Sequence, residues 1–425
     1  MKNSIKIATM CALFLAVRLS YAAESFANED LTGMDFSGRD LTGANFSGAT
    51  LEGTNFTGAN LTGASLGRAK RLSGAIFDDA VIKNAQFTSM TFSDIAASQL
   101  YSTASYKDKD LGAIRFSALP YPISSEILSL AGWAFSGQRM SGSYFMTARL
   151  DNGNFSGADL SRGTFANIYA NGADFSYANM QNVGMGFFPE GAESMGIRNS
   201  NFTGVDFRGV AYQSETPSEY FVTYSSNGNT FRNFIGSDGR IVNFAMASAS
   251  DKLVVRKYAD RDGNANTISA TLASGTSYAM TGGTLTLENE SSFRIGGALS
   301  LEDGGNLEIN LSKAGIAAPI LVDAGGSFNV KGGKISVNIT GDFDGGNNAF
   351  TVVSGVDAGI VEAFEESLVV NYNGRRLANE DWNLNFDSGN LNINVLSIPE
   401  PAAVAAAFGA FAFAIAACLR FRRAA

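Results

Sequence analysis

Residues 31–65 read LTGMD FSGRD LTGAN FSGAT LEGTN FTGAN LTGAS, a pattern that returns every five residues. The leading positions from Leu31 onward, Phe36, Leu41, Phe46, Leu51, Phe56, Leu61 and Leu66, are all Leu or Phe. Two residues ahead of many of them stands a small residue: Ala44, Ala49, Thr54, Ala59, Ala64. Between the two lies Asp or Asn at Asp35, Asp40, Asn45, Asn55 and Asn60. A period of five fits neither the 3.6 of a helix nor the 2.0 of a strand. A fixed short period indicates a solenoid, in which each unit buries its face only against its neighbours. Each five-residue unit then forms one flat side of a coil. Its Leu or Phe points inward, its small residue fills the corner, and its Gly and polar residues turn the chain or face out.

The register slips by one after an extra residue near Ala69-Lys70-Arg71, and Leu72, Phe77, Ile82, Phe87 and Phe92 resume the spacing, with Ala75, Ala80 and Ala85 as small residues. A second block holds one register through Phe135, Met140, Phe145, Leu150, Phe155, Leu160, Phe165, Ala170, Phe175 and Met180. Phe202 and Phe207, in NFTGVDFRG, echo it. The units resemble the pentapeptide-repeat family, whose consensus is close to A-(D/N)-L-x-x; GANFSGATLEGTNFTGANLTGASL carries the likeness. The resemblance implies an all-β chain beginning as a right-handed quadrilateral β-helix with four units per coil. Some members of that family mimic DNA and inhibit topoisomerases. That role belongs in the cytoplasm, and the export features below argue against it.

Repeat block 1 is set at residues 23–98, an insert at 99–130, block 2 at 131–210 and a transition at 211–250. In the insert, Ser98 to Lys109 is polar, Pro120 and Pro122 break local structure, and Ser124 to Leu130 could form one short helix. From Asp251 to residue 397, short alternating strands such as TLTLE, ALSLE, LEINL and KISVNI are separated by Gly-Gly, Asp-Gly and Asn pairs. They imply a second β-solenoid or a β-sandwich. The region resembles the repetitive passenger-like segments of bacterial surface proteins. FTVVSG and LVVNYNGRRLANEDWNLNFDSGNLNINVLS read as its capping strands.

Composition narrows the chemistry. The 425 residues contain no His, which removes Ser-His-Asp and Cys-His nucleophile systems and every His-ligated metal site. The two cysteines, Cys11 and Cys418, lie in apolar end segments, so no cystine framework is expected. Asp260-Arg261-Asp262-Gly263-Asn264 offers oxygen ligands of the kind calcium takes, but Gly comes too early for an EF-hand and no Glu sits at position twelve. A turn explains the same residues. Asp342, Asp344, Asn347 and Asn348 pose the same choice. No other cofactor is expected. Parallel β-helices include polysaccharide lyases, yet no basic residue recurs in step with the carboxylates here, and Glu365-Glu366 reads as solvated. The protein is therefore expected not to be an enzyme. The sequons Asn55-Phe56-Thr57 and Asn60-Leu61-Thr62 follow from the repeat itself rather than marking glycosylation.

The chain opens MKNSIKIATMCALFLAVRLSYAAES: Lys2 and Lys6, an apolar run from Ile7 to Val17, then small Ser20 and Ala22 at the positions a signal peptidase reads. Residues 1–22 are thus expected to be a signal peptide. At the other end stands SIPEPAAVAAAFGAFAFAIAACLRFRRAA. The apolar run Ala402 to Leu419 would reach roughly 27 Å as a helix, and Arg420, Arg422 and Arg423 follow it. Those arginines hold the tail's end in the cytoplasm and place the body outside. Pro399-Glu400-Pro401 directly before the run completes a set, at 398–425, that resembles the PEP-CTERM sorting signal of Gram-negative bacteria. That resemblance implies transient inner-membrane anchoring, cleavage near Pro399 by an exosortase, and delivery to the cell surface or an extracellular polysaccharide matrix.

Without Lys2, Lys6, Arg18, Glu400, Arg420, Arg422 and Arg423, the 31 basic and 40 acidic residues become 25 and 39, a net charge of −14. Such a surface disfavours nucleic acid and anionic membrane as partners. The expected partners are signal peptidase and exosortase during export, then extracellular polysaccharide, with membrane contact only through the terminal helix before cleavage. The expected role is structural or adhesive; a glycan-binding or glycan-cleaving β-helix is the alternative.

Overall fold

The structure is a computed structural model and describes residues 23–90, 95–118, 127–186, 196–212, 228–312, 317–341 and 349–396. Ser20, Ala22, Cys11, Phe92, Ser124, the 342–348 cluster, Cys418 and the whole tail from Pro399 to Arg423 lie outside the described residues. The chain divides into two compact units, 1–243 with 260–264, and 244–259 with 265–425.

The first unit is a coil that advances one rung every twenty residues. Parallel bridges join Ser25 to Asn45, Asp30 to Thr50, Asp35 to Asn55 and Asp40 to Asn60, so four five-residue sides complete one turn. Leu31 N–H donates to Thr50 O at 2.9 Å, and Thr50 N–H donates to Glu29 O at 2.9 Å. Each rung thus spends its backbone polar groups on the rungs above and below. The extra residue is absorbed after Lys70: Thr50 still bridges Lys70, but Asn55 bridges Ile76 across a short 3₁₀ turn at Leu72–Gly74.

Side-chain roles follow the repeat. Phe36, Leu41, Phe46, Leu51, Phe56 and Leu61 are buried, as are Ala44, Ala49, Ala59 and Ala64. Thr54, in the small position, is buried too, and its hydroxyl donates to Leu31 O at 2.9 Å. Rings on successive rungs stack: Phe135 on Phe155 at 4.9 Å, Phe155 on Phe175 at 5.0 Å, Phe175 on Phe202 at 5.2 Å, and Phe202 on Phe231 at 5.1 Å. Asp and Asn ahead of each centre close an Asx turn. Asp30 Oδ1 accepts the Thr32 N–H at 3.1 Å and its hydroxyl at 2.6 Å, and Asn55 Oδ1 does the same for Thr57 at 3.0 and 2.6 Å. The amides also bond down the coil, Asn55 Nδ2 to Asp35 Oδ1 at 3.1 Å. The third position of each early unit, such as Gly33 at φ 69°, turns the corner in the left-handed region that glycine enters without strain.

Ten short strands lie on two faces: β1 (Gln86–Met90), β2 (Arg115–Ala118), β3 (Leu128–Ser129), β4 (Tyr144–Met146), β5 (Ala148–Arg149), β6 (Thr164–Ala166), β7 (Tyr169–Asn171), β8 (Gly184–Gly186), β9 (Gly196–Arg198) and β10 (Ala211–Tyr212). One sheet runs β1-β2-β4-β6-β8-β10 and the other β3-β5-β7-β9, both parallel.

Residues 99–130 are only partly an excursion. β2 pairs with β1 below and β4 above, so the coil runs through the insert. The expected helix at Ser124 to Leu130 is corrected: Leu128–Ser129 is a strand. Helices form instead at α1 (Ala97–Tyr101) and α2 (Ala104–Lys107), in the stretch that read as polar loop. The cue is local: Thr103 Oγ1 caps α2 by accepting Tyr106 N–H at 3.1 Å. Gln99 Nε2 ties α1 to Leu72 O and Ala75 O at 2.8 and 2.7 Å. The transition at 211–250 is also narrower than its boundaries: Thr230 and Ile235 bridge Asn201 and Asp206, so coil geometry continues past it. A hairpin, β11 (Phe234–Ile235) with β12 (Ile241–Val242), follows.

The second unit settles the choice between solenoid and sandwich. The chain visits three faces in turn: β13 (Lys252–Val255), β14 (Ala270–Leu272), β15 (Ser277–Met280), then β16 (Thr284–Leu287), β17 (Phe293–Ile295), β18 (Ala298–Glu302). A third turn is β19 (Asn306–Leu311), β20 (Ile320–Val322), β21 (Ser327–Lys331). Like strands pair in parallel, β16 with β19, β17 with β20 and β18 with β21. Their alternation buries Leu307, Ile309 and Leu311 and turns Asn306, Glu308 and Asn310 outward. Corners use Gly pairs because backbone passes against backbone: a Cβ on Gly297 would strike the Thr276 carbonyl oxygen. A fourth turn starts with β22 (Lys334–Ile339) and β23 (Ala349–Ser354). Helix α3 (Val361–Ser367) then packs against β21 and β22, with Phe364 buried on it. β24 (Leu368–Tyr372) with β25 (Arg375–Arg376), and β26 (Trp382–Asp387) with β27 (Asn390–Val395), close the stack as antiparallel pairs. These are the segments expected to cap it.

Candidate functional site

The outer face of β5, β7 and β9 departs from the repeat. The position ahead of the centre, Asp, Asn or Thr in many units, holds Arg149 and Tyr169 here, as it holds Arg115, Arg139 and Tyr144 in other units. Parallel register places side chains in columns one rung apart, about 4.8 Å. One column reads Ser129, Arg149, Tyr169, Gly196, and its neighbour carries Asn171 beside Arg198. The Arg149 guanidinium lies over the Tyr169 ring at 5.3 Å from its centroid. Arg149 Nη1 also donates to Asp151 Oδ2 at 3.0 Å, while Asp151 Oδ1 accepts the Asn171 N–H at 2.8 Å. Asn199 Nδ2 donates to Asn171 Oδ1 at 2.7 Å. These groups line an open groove of about 500 Å³ with Ala170 and Gly196. Its lining holds one aromatic ring, two amide side chains, two guanidinium groups and one carboxylate, with Arg149 and Asp151 paired to each other.

A second Arg-on-Tyr pair shows what is particular to the first. On the other sheet Arg115 lies over Tyr144 at 5.7 Å. There the next rung supplies Thr164, whose side chain continues the column. Above Tyr169 the next rung supplies Gly196, and a Cβ there would meet nothing within 4 Å among the described residues.

The residues singled out from sequence fall elsewhere. Asp260 forms an Asx turn: Oδ1 accepts the N–H groups of Asp262 and Asn264 at 3.0 and 2.8 Å, and Oδ2 accepts Asn264 Nδ2 at 3.0 Å. Those bonds, the Asn264 amide foremost, hold its carboxyl below the ordinary value of 3.8. Asp260, Asp262 and Asn264 thus sit together in one turn whose hydrogen bonds account for the Asp260 oxygens. Among the described residues no group of three or more His, Cys, Asp or Glu is placed to hold a metal ion. Glu365 and Glu366 are exposed on α3 and line an open groove with Arg376 and Trp382. Asn55 and Asn60, the sequon residues, are tied into Asx turns and the ladder along the coil. Among the described residues no helix is long and apolar enough to cross a membrane.

Comparison with known proteins bears on the repeats. A family model described as pentapeptide repeats matches in eight copies, over residues 30–68, 134–167 and 154–183. The matched stretches lie in the first unit, whose twenty-residue coil is a β-solenoid. No curated protein matches the chain. Solved structures similar to it include HetL, a pentapeptide repeat protein involved in heterocyst differentiation regulation from the cyanobacterium Nostoc sp. Strain PCC 7120. That match has 20% identity, covers 52% of this chain and 95% of HetL, and has a TM-score of 0.19. QnrB1, a plasmid-mediated fluoroquinolone resistance protein, matches at 18% identity over 50% of this chain and 90% of its own, TM-score 0.17. A pentapeptide repeat protein from the Arabidopsis thaliana thylakoid lumen matches at 19% identity over 46% of this chain and 75% of its own, TM-score 0.11. None of them lends this chain a function.

Proposed function

We propose that the protein is an exported, non-enzymatic scaffold of the cell surface or extracellular matrix, structural or adhesive in role, and sorted through its C-terminal tail. The observation that carries the reading is Pro399-Glu400-Pro401 directly before the apolar run Ala402–Leu419 and the cluster Arg420, Arg422, Arg423. A permanent anchor has no need of the Pro-Glu-Pro. Ten of the run's residues are Ala, so its insertion is only modestly favourable. That suits a helix that holds only until it is cut. Two solenoids whose strands are tied rung to rung support a mechanical role, and the absence of His supports a non-catalytic one. The expected partners are signal peptidase, exosortase and then a matrix polysaccharide.

Deleting residues 399–425 tests the reading. The body should then fail to reach the cell surface or matrix fraction; unchanged delivery would overturn the proposal. Incubating the protein with surface polysaccharides tests its non-enzymatic part. New reducing ends or unsaturated sugars would favour a glycan-cleaving β-helix instead.

A further inference from the structure

The third face of the second unit stops one strand early. β15, β18 and β21 form its whole sheet, while the other two faces run on through β24 and β27. After β23 the chain enters a 3₁₀ turn at Ala358–Ile360 and then α3, where a fourth strand of that face would follow. β21 is therefore an edge. Ser327 N–H donates to Gly297 O on the β18 side at 2.8 Å, so alternation turns the N–H and C=O of Phe328 and Val330 the other way. Among the described residues none hydrogen-bonds to those groups. Between this edge and the turn runs a groove of about 320 Å³, walled on its far side by Val356, Gly359, Ile360 and Ala363. We propose that the groove takes an extended peptide, which adds to β21 as the missing strand.

The register names the peptide's chemistry. On its paired edge β21 meets the run Ala298–Glu302, with Leu299 opposite Phe328, Leu301 opposite Val330 and Glu302 opposite Lys331. A strand on the free edge meets the same side chains. It sets two apolar positions against Phe328 and Val330, beside Ile360 and Ala363 of the far wall. Its last position falls at Lys331, which is exposed and forms no ion pair among the described residues, so a carboxylate there continues the alternation of charge from Glu302. Phe328 and Val330 supply two donors and two acceptors, about 7 Å apart along the strand. Such main-chain bonds give an added strand its affinity, and the alternate side chains give it specificity. On the neighbouring faces β24 and β27 rise past β21, so a second rigid coil would meet them before its own strand reached the edge. A single extended segment clears them. The site works in this way wherever the chain is sorted.

The probe is a fluorescein-labelled peptide GALSLEG, which copies Ala298–Glu302 between glycines. Fluorescence anisotropy with full-length protein in detergent should show saturable binding. Two N-methylated versions each block one alternate set of backbone amides. One should bind about tenfold or more weakly, and the other should bind like the parent, because a strand bonds through every second residue. Gly359→Trp should abolish binding: a Cβ at Gly359 meets nothing within 4 Å among the described residues, so the ring fills the groove without disturbing the wall. Lys331→Glu should lose about threefold and regain it with GALSLKG. Circular dichroism confirms the fold of each variant. No saturable binding, equal affinity for both methylated versions, or full binding to folded Gly359→Trp would overturn the site. Unchanged preference in Lys331→Glu would overturn the acidic position. Dimerisation in sedimentation equilibrium that Gly359→Trp abolishes would give the edge to a second copy and overturn the peptide.

Discussion

Asp206 and Arg208 show how far a single repeat position can depart from its usual job. Asp206 occupies the Asx position, and its Oδ1 accepts the Arg208 N–H at 3.2 Å like its counterparts. Here, though, Arg208 folds back on it, with Nη2 donating to Oδ2 at 2.7 Å and Nε to Oδ1 at 3.0 Å, and both side chains are fully buried. Gln181 Nε2 adds a third side-chain donor at 2.7 Å. Removing Arg208 takes two charge-assisted bonds from the buried Asp206 carboxylate, so Arg208→Ala should cost about 3–5 kcal/mol in denaturant unfolding. At the opposite end of the coil the same position is fully exposed. The Thr32 hydroxyl holds the Asp30 carboxyl below 3.8, the Ser37 N–H does so for Asp35, and the Thr42 hydroxyl for Asp40. Carboxyls lowered in the folded state add stability above their unfolded value and lose it as pH falls through the folded one. Thermal stability of the first rungs should therefore fall as pH drops below 3.8. Replacing Asp30, Asp35 and Asp40 together by Asn, which fills this position at Asn45, Asn55 and Asn60, should keep the turns and flatten that dependence. An unchanged acid slope would contradict the assignment.

At the scale of the element, the stacked rings decide the coil. Phe155 is fully buried between Phe135 and Phe175, at 4.9 and 5.0 Å, and meets Phe145 edge-on at 6.0 Å. Phe155→Ala should cost about 3–5 kcal/mol, because neighbouring rungs are fixed by backbone bonds and cannot close the cavity. Chemical denaturation of the variant checks it, and a cost below about 1 kcal/mol would mean that the rungs do close it. The repeat was legible because period five survives through Leu, Phe and Ala whatever the polar residues do. The helices α1 and α2 were not, since ASQLYSTASYK has no apolar periodicity; its order comes from Thr103 and Gln99 capping groups. The β5–β7–β9 groove was hidden for another reason. Arg149, Tyr169 and Gly196 are separated by 20 and then 27 residues, because the chain lengthens between rungs. Arg and Tyr also stand at this position at Arg115, Arg139 and Tyr144, so only the rung-by-rung register brings Arg149, Tyr169 and Gly196 into one column.

For the whole molecule, two solenoids carry the core of the described residues. The first was legible as a class of fold. The second was legible as strands, but its choice of three parallel faces over a sandwich depends on pairing between residues 21 to 33 apart, as in Ser277 with Ala298 and Ile335 with Leu368. Alternating apolar residues do not encode that pairing. Mass spectrometry of C-terminal peptides from the membrane and secreted fractions tests the proposed sorting most directly. Mature chains should end near Pro399; Arg422-containing tails throughout the mature pool would contradict the account.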